Sequence, residues 1–251
     1  MTKIVILGTA DGVPDAEHNN THMAIVGQDG AVLVDCSGIP TIQLARAGIE
    51  LDSITDLILT HFHPDHVGGV PMLLMNMWLT GRTDPLRIYG LHHCLERCEH
   101  MMGFYNWENW PNFFPVSFHR LPERENIPVL EKADFRILSS PVRHVIPTIG
   151  LRIESRGSER VIAYSCDTEP CPDVVRLADG ADILIHEAAG AIVGHSSASQ
   201  AGAIAREAGV KSLYLIHYPT GDFQHGSMRS QAAETFPGEV IVAEDFMELP
   251  L

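Results

Sequence analysis

Positive charge is scarce in this chain: 17 Lys and Arg stand against 32 Asp and Glu, a formal charge of −15 over 251 residues. Such a balance repels a phosphate backbone at long range and argues against nonspecific nucleic-acid binding. Cysteine is also sparse. Cys36, Cys94, Cys98, Cys166 and Cys171 are odd in number and include no Cys-x-x-Cys pair, so the sequence suggests neither a disulfide framework nor a cysteine zinc site. The five thiols are expected to be reduced. No apolar run approaches the ~18–20 residues that cross a bilayer. The opening Met1-Thr2-Lys3-Ile4-Val5-Ile6-Leu7 lacks the length, basic lead and small-residue cleavage site of a secretory signal. A cytoplasmic protein with no membrane partner is expected. Low-complexity tracts and fixed-period repeats are absent too. With 45% hydrophobic residues and a mean hydropathy of +0.04, the chain should nonetheless bury a core.

Short apolar runs recur at 3–7, 22–26, 31–35, 57–60, 87–89, 135–139, 150–154, 161–165, 183–186, 212–217 and 239–242. Many end in turn residues on both sides, the pattern of strands covered on both faces. Helical patterns lie between them. The clearest is 197–208, where Ser197 and Gln200 form a capping box, Ala201, Ile204, Ala205 and Ala208 make a stripe, and Gly209 stops the helix. Weaker helices are expected at 38–48, 67–77, 92–102 and 171–178, the last with Pro172 at its first position. No linker divides the chain, so residues 1–251 are expected to form one α/β domain of two sheets sandwiched by helices. Seven of the 17 aromatic residues fall within 101–118. That segment reads either as a locally packed subdomain or as a cap and wall over a substrate pocket.

Histidine is abundant, at 14, and its placement carries the functional reading. In Leu57-Ile58-Leu59-Thr60-His61-Phe62-His63-Pro64-Asp65-His66, an apolar strand runs directly into four potential metal ligands. Residues two apart on an extended chain share a face, so His61 and His63 can share a metal. Pro64 then bends the chain and turns Asp65 and His66 toward a second. Burying three imidazoles and a carboxylate together costs several kcal/mol unless a cation binds them. Three further polar groups end apolar runs and supply the remaining ligands: His144, Asp167 and His217. His195 precedes the capped helix, whose positive end favours an anion. His186, at the end of a strand, reads equally as core or as support for the site. His92, His93 and His100 fall on the 92–102 helix and His18, His22, His119 and His225 in loops, all as surface or packing. Cys166 reads as core, facing away from the metals.

These motifs resemble the metallo-β-lactamase superfamily, whose mark is the His-x-His-x-Asp-His segment at His61 to His66. The resemblance is closer to its tRNase Z branch and spans nearly the whole chain. Leu7-Gly8-Thr9, Tyr164-Ser165-Cys166-Asp167-Thr168, Ile185-His186-Glu187-Ala188 and Gly194-His195-Ser196-Ser197 follow that branch in order. The resemblance implies a four-layer αββα sandwich with two mixed β-sheets, and two Zn²⁺, Mn²⁺ and iron being the other metals of this fold. It further implies His61, His63 and His144 on one ion, Asp65, His66 and His217 on the other, and Asp167 bridging. Asp65, His195 and Glu187 are the implied catalytic residues, His195 as proton donor or phosphate clamp aided by Glu187. Two carboxylates against two dications leave the site near +2, an anion trap inside an acidic protein. Such a pair lowers the pKa of bound water and presents hydroxide to a phosphoryl or acyl centre.

Three departures from the branch matter. Members that process tRNA carry a long arm between the positions matching His144 and Asp167; here those residues are 23 positions apart, room for one hairpin over 147–165. Asp35-Cys36-Ser37-Gly38-Ile39-Pro40 replaces the family's Asp-x-Gly-x-Gly-Thr turn, and the loop from Glu187 to His195 is short. The expected activity is therefore a dinuclear metal-dependent phosphodiesterase acting on a small or nucleotide-like substrate, with tRNA disfavoured and a homodimer expected from its relatives. An acyl hydrolase of lactonase, β-lactamase or thioesterase type, an iron oxygenase, and a metal-binding module without turnover remain open at this point.

Overall fold

The computed structural model describes residues 2–221 and 225–251. One seven-stranded sheet contains β1 (Lys3–Gly8), β2 (His22–Gly27), β3 (Gly30–Val34), β4 (Ile54–Ile58), β5 (Leu86–Leu91) and β6 (Val116–Leu121) in that order. The second contains β7 (Ile127–Glu131), β8 (Phe135–Val142), β9 (Thr148–Ser155), β10 (Val161–Tyr164), β11 (Ile183–Glu187), β12 (Ser212–Ile216) and β13 (Glu239–Val242). A short final strand, β14 (Glu248–Pro250), returns to the first sheet and pairs with β1. Each sheet is antiparallel in one half and parallel in the other: β3 to β6 and β10 to β13 are the parallel runs. Helices α1 (Pro40–Arg46), α2 (Pro64–Val67), α3 (Val70–Leu79) and α4 (His92–Phe104) serve the first half, and α5 (Pro172–Ala178), α6 (Ala198–Ala208) and α7 (His225–Ala233) the second.

Period-two alternation explains the layering. Ile4 and Ile6 of β1 face the second sheet in one core cluster, while Val5 and Leu7 face the helices in another. The second sheet repeats the pattern, with Ile185 turned to the sheet interface and Leu184 toward α5 and α6. A strand buried on both faces must be apolar throughout, which is why these segments read as continuous runs in the sequence. The two-sheet sandwich expected from the sequence is what the chain forms.

Element ends differ from expectation in informative ways. The 67–77 helix is two helices, because Gly68 and Gly69 interrupt it and Pro71 restarts it. Three strands escaped the sequence pattern. β6 and β7 lie at sheet edges with half-exposed faces, β7 carries Pro128, and β14 has three residues and pairs only with the distant β1. Helix α7 was missed for want of an apolar stripe. His119 and His225 lie in β6 and α7 rather than in loops, and His22 opens β2, the strand expected over 22–26. His186, beside Leu215 on the ladder, is fully buried on the helix side, where burial pushes its imidazole down to about 4 and keeps it neutral.

The hairpin of β9 and β10 fills the interval between His144 and Asp167 and leaves no arm there. Within 101–118, Trp110 stacks on Trp78 at 4.9 Å, Phe113 packs edge-on against Trp107 and Trp110, and these rings close the helix-side core of the first sheet. Phe104 and Tyr105 stay exposed. No helix among the described residues is long and apolar enough to cross a membrane.

Candidate metal centre

All the candidate side chains of the site except His195, which precedes α6, sit at or just beyond the carboxyl end of a strand. Asp35 follows β3, His61 to His66 follow β4, His144 follows β8, Asp167 follows β10, Glu187 ends β11 and His217 follows β12. Open α/β sheets present their ligands at such ends, where the backbone leaves the ladder and side chains converge. Three of these strand exits require left-handed backbone at non-glycine residues: φ is 60° at Asp35, 53° at Cys166 and 52° at His217. Each costs of order 1–3 kcal/mol, a strain that surrounding packing must hold in place.

His61, His63, His144 and Asp167 offer ligand atoms within 4.8 Å of one another, as do Asp65, His66 and His217. His61 Nε2 lies 3.0 Å and His144 Nε2 3.2 Å from His63 Nδ1. Tetrahedral zinc with bonds of ~2.0–2.1 Å would set its nitrogens about 3.3 Å apart, so the spacing fits a shared ion. Between the two groups stands the Asp167 carboxylate. Its Oδ2 is 3.7 Å from His61 Nε2, 3.4 Å from His66 Nε2 and 3.3 Å from His217 Nε2. His66 Nε2, Asp167 Oδ1 and His217 Nδ1 are buried with no hydrogen-bond partner among the described residues. Orphaned polar atoms are costly in a folded interior, and a divalent cation would satisfy His66 Nε2, which faces the cluster.

Electrostatics prepares the donors. Burial pushes His61, His63, His144 and His217 below the ordinary imidazole range, into the neutral form that binds metal. Burial acts on His66 too, but the Asp167 and Asp35 carboxylates overcome it and hold its pKa high. Burial likewise opposes the Asp167 anion, yet His217 and His66 keep its pKa well below the usual carboxylate range.

In His61, His66 and His144 the ring nitrogens that point away from the cluster are also committed. His66 Nδ1 donates to Asp35 Oδ2 at 2.8 Å, and His144 Nδ1 donates to the Gly194 carbonyl at 2.7 Å. His61 Nδ1 lies 3.1 Å from Thr60 Oγ1, which itself donates to Asp35. One buried carboxylate thus orients two imidazoles, fixing the tautomers whose Nε2 lone pairs face inward. The Cys166 sulfur is buried as expected and approaches His61 from the Nδ1 side at 3.6 Å. Burial keeps that thiol protonated, which makes it a poor ligand. Asp35→Asn keeps the shape but removes the charge; metal affinity is expected to fall about 10- to 100-fold in a chelator competition, the usual effect of losing a carboxylate behind a histidine ligand.

His195 and Glu187 adjoin the cluster. The His195 ring is 4.9 Å from that of His144 and stacks on His217 at 5.7 Å. Its Nδ1 donates to Glu187 Oε1 at 3.0 Å. That carboxylate is fully buried and also accepts from the backbone N–H groups of Thr168, Ser196 and Ala189. Burial disfavours the imidazolium, but the Glu187 hydrogen bond and charge outweigh it and hold His195 above its ordinary pKa. The capping box expected at Ser197 and Gln200 is formed, which fixes the entry to α6 directly behind His195.

All the sequence candidates, His61, His63, Asp65, His66, His144, Asp167, His217, His195 and Glu187, therefore meet in one place. Asp35, Thr60 and Gly194 were missed. Asp35 had a readable signal, a carboxylate ending an apolar run as Asp167 does. Gly194 acts through its carbonyl and leaves no side-chain trace; its φ of +84° and the closeness of Val145 and His144 to its absent Cβ leave no room for another residue.

Residues 31–218 match the family described as β-lactamase superfamily domain. Ribonuclease Z of Methanothermobacter thermautotrophicus is 31% identical across 98% of this chain and 96% of its own. That alignment has 303 positions against 251 residues here, so at least 52 of them face gaps in this chain. Among solved structures, the metallo-β-lactamase fold protein YhfI of Bacillus subtilis superimposes with a TM-score of 0.83 at 24% identity, covering 99% of this chain and 98% of that one. A diphosphatase from the PhnP family gives 0.78 at 20% identity, covering 100% and 98%. The chain belongs to the ribonuclease Z family within the β-lactamase superfamily.

Proposed function

We propose that this protein is a dinuclear zinc hydrolase that cleaves small or nucleotide-like phosphodiesters. The observation that carries the reading is the convergence of seven ligating side chains, from His61 to His217, with the unpaired His66 Nε2 turned toward a shared interior beside the His195–Glu187 pair. Five imidazoles and two carboxylates suit zinc, manganese and iron being the alternatives. His61, His63 and His144 would hold one ion, Asp65, His66 and His217 the other, and Asp167 both. When bound, the ions supply a water-derived nucleophile at neutral pH and electrophilic stabilisation of the phosphoryl oxygens.

The chain's own groups do the rest. Asp65, half-buried where His66 beside it is closed off, orients the attacking water. Glu187 accepts the Nδ1–H of the His195 imidazolium and keeps that proton in place, so that Nε2–H is the one aimed at the departing oxygen. As the bond from phosphorus to that oxygen breaks, the Nε2 proton moves onto it and the leaving group departs as an alcohol. Substrate size follows from what is missing: no arm occupies the β9–β10 hairpin, and a charge of −15 disfavours a tRNA platform. The relatives' name supports phosphodiester chemistry rather than carboxylic ester chemistry. Five buried free thiols suit a reducing, cytoplasmic setting.

The test is metal content and turnover measured together. Zinc-loaded protein is expected to contain two ions per chain and to hydrolyse bis-p-nitrophenyl phosphate. Activity should vanish with a chelator and return with added zinc, while precursor tRNA stays uncut. One ion per chain, or phosphodiester turnover indifferent to the chelator, would overturn the assignment.

A further inference from the structure

The loop that follows β1 lies against one half of the metal cluster. A Cβ on Gly12 would stand 3.7 Å from Asp65 Oδ2, so the loop backbone borders that carboxylate. The same loop grips the chain beside His217. The Tyr218 N–H donates to the Thr9 carbonyl at 3.2 Å, and the Asp11 N–H donates to the Tyr218 carbonyl at 3.0 Å. Tyr218 directly follows His217, whose backbone is left-handed with φ at 52°. A non-glycine residue stays in that region only where its surroundings over-determine it, and the contacts of Thr9 and Asp11 with Tyr218 supply that constraint on its carboxyl side.

A single distant carboxylate holds the loop itself. Asp245, between β13 and β14, accepts from Thr9 Oγ1 at 2.7 Å through Oδ1. Through Oδ2 it accepts the Asn19 backbone N–H at 2.8 Å and the Asn19 side-chain amide at 2.7 Å. Hydrogen bonds to an ionised acceptor are the stronger kind, and these three clamp both ends of the loop. The ends also close on each other, the Ala10 N–H donating to the Asn19 carbonyl at 2.8 Å. The buried Tyr218 hydroxyl shares its proton between the Ala243 carbonyl at 2.6 Å and Thr9 Oγ1 at 3.1 Å, which joins the segment after His217 to the same hub. Phe246, next to Asp245, has a φ of 67°, an outlying conformation for a bulky residue. Strain at both ends of one hydrogen-bonded chain, at His217 and at Phe246, points to a functional demand on it.

We propose that Asp245 is a positioning residue for one ion of the pair: through the 9–19 loop it sets His217 and bounds Asp65, without touching the metal. The assignment rests on the dinuclear reading and deepens it by giving the two ions separate supports. His61, His63 and His144 leave the exits of β4 and β8, and their own hydrogen-bond partners are Thr60, Gly194 and one another. Their ion is therefore independent of Asp245. The ion of Asp65, His66 and His217 depends on it at two of three ligands, His66 being oriented by Asp35 instead.

The experiment titrates zinc into metal-free protein against a chromophoric chelator, which yields a dissociation constant for each ion. In Asp245→Ala one ion is expected to bind as in the wild type and the other about 10- to 100-fold more weakly, the usual effect of losing a group behind a ligand. Two backgrounds identify which is which. In His63→Ala, where the Asp65–His66–His217 set stays whole, adding Asp245→Ala should weaken the remaining ion by that same factor; in His217→Ala it should change nothing. Asp245→Asn is expected to recover to within about threefold of the wild type, because its amide oxygen can face the Asn19 donors and its NH₂ the Thr9 oxygen. Thr9→Val removes only the hydroxyl donor to Asp245; it should shift the same ion about threefold and carries the test if Asp245→Ala does not fold. Equal weakening of both ions, or no weakening of either, overturns the assignment while two ions in the wild type leave the dinuclear reading standing. A wild-type chain that binds one ion removes that reading and the assignment with it.

Discussion

Asp167→Ala is expected to bind fewer than two metal ions per chain and to lower kcat/KM for bis-p-nitrophenyl phosphate at least about a thousandfold, equivalent to roughly 4 kcal/mol of lost transition-state stabilisation. The size of the effect follows from position. Asp167 Oδ2 lies within 3.3–3.7 Å of three imidazole nitrogens that belong to both halves of the cluster. Deleting any single histidine leaves at least one half with its carboxylate. Deleting Asp167 takes an anion from both and leaves His61, His66 and His217 facing one another without it. Asp167→Asn is expected to fare little better, because an amide keeps the shape but offers one neutral acceptor where two dications need an anion between them. Metal content by elemental analysis and rate on the same sample check the claim. A variant that kept two ions and the wild-type rate would show that Asp167 does not join the halves.

Why so much of this centre was legible, and why some was not, has a physical basis. A polar residue placed directly after an apolar run marks a strand exit, and the exits after β4, β8, β10 and β12 each deliver candidate ligands to the same end of the sandwich. Side-chain chemistry at such exits is visible in one dimension because burial forces the preceding run to be apolar. Asp35 obeys the same rule after β3, yet its role is to hold His66 and Thr60, and a supporting carboxylate looks no different in sequence from a ligating one. Backbone groups are invisible altogether, as the Gly194 carbonyl behind His144 illustrates. In the fold, the fully covered strands were readable and the edge strands β6 and β7 were not, since half-exposed faces dilute the pattern. The aromatic segment was readable in composition only; its rings pack by contacts with α3 that no spacing rule specifies.

His195→Ala should separate substrates by their leaving groups. On a phosphodiester with an alkyl leaving group, such as a dinucleoside monophosphate, kcat is expected to fall about 10²- to 10⁴-fold, the usual contribution of a positioned general acid. On bis-p-nitrophenyl phosphate, whose nitrophenolate departs readily without a proton, the loss is expected to be under about tenfold. The contrast arises because His195, although its ring also comes within ligand distance of Asp167 and His217, stands apart from the His61–His63–His144 and Asp65–His66–His217 sets and has its Nδ1 already bound to Glu187. Glu187→Gln should move the same substrates in the same order by a smaller amount, since an amide still orients the ring but no longer favours its protonated form. The double variant should then cost little more than His195→Ala alone, as residues acting through one another do. Equal losses on both substrates would assign His195 to clamping the phosphoryl oxygens, a contribution blind to leaving-group acidity. Loss of metal in the variant would make it a ligand instead. Only the leaving-group dependence, with two ions still bound, identifies the proton that this imidazole is held to deliver.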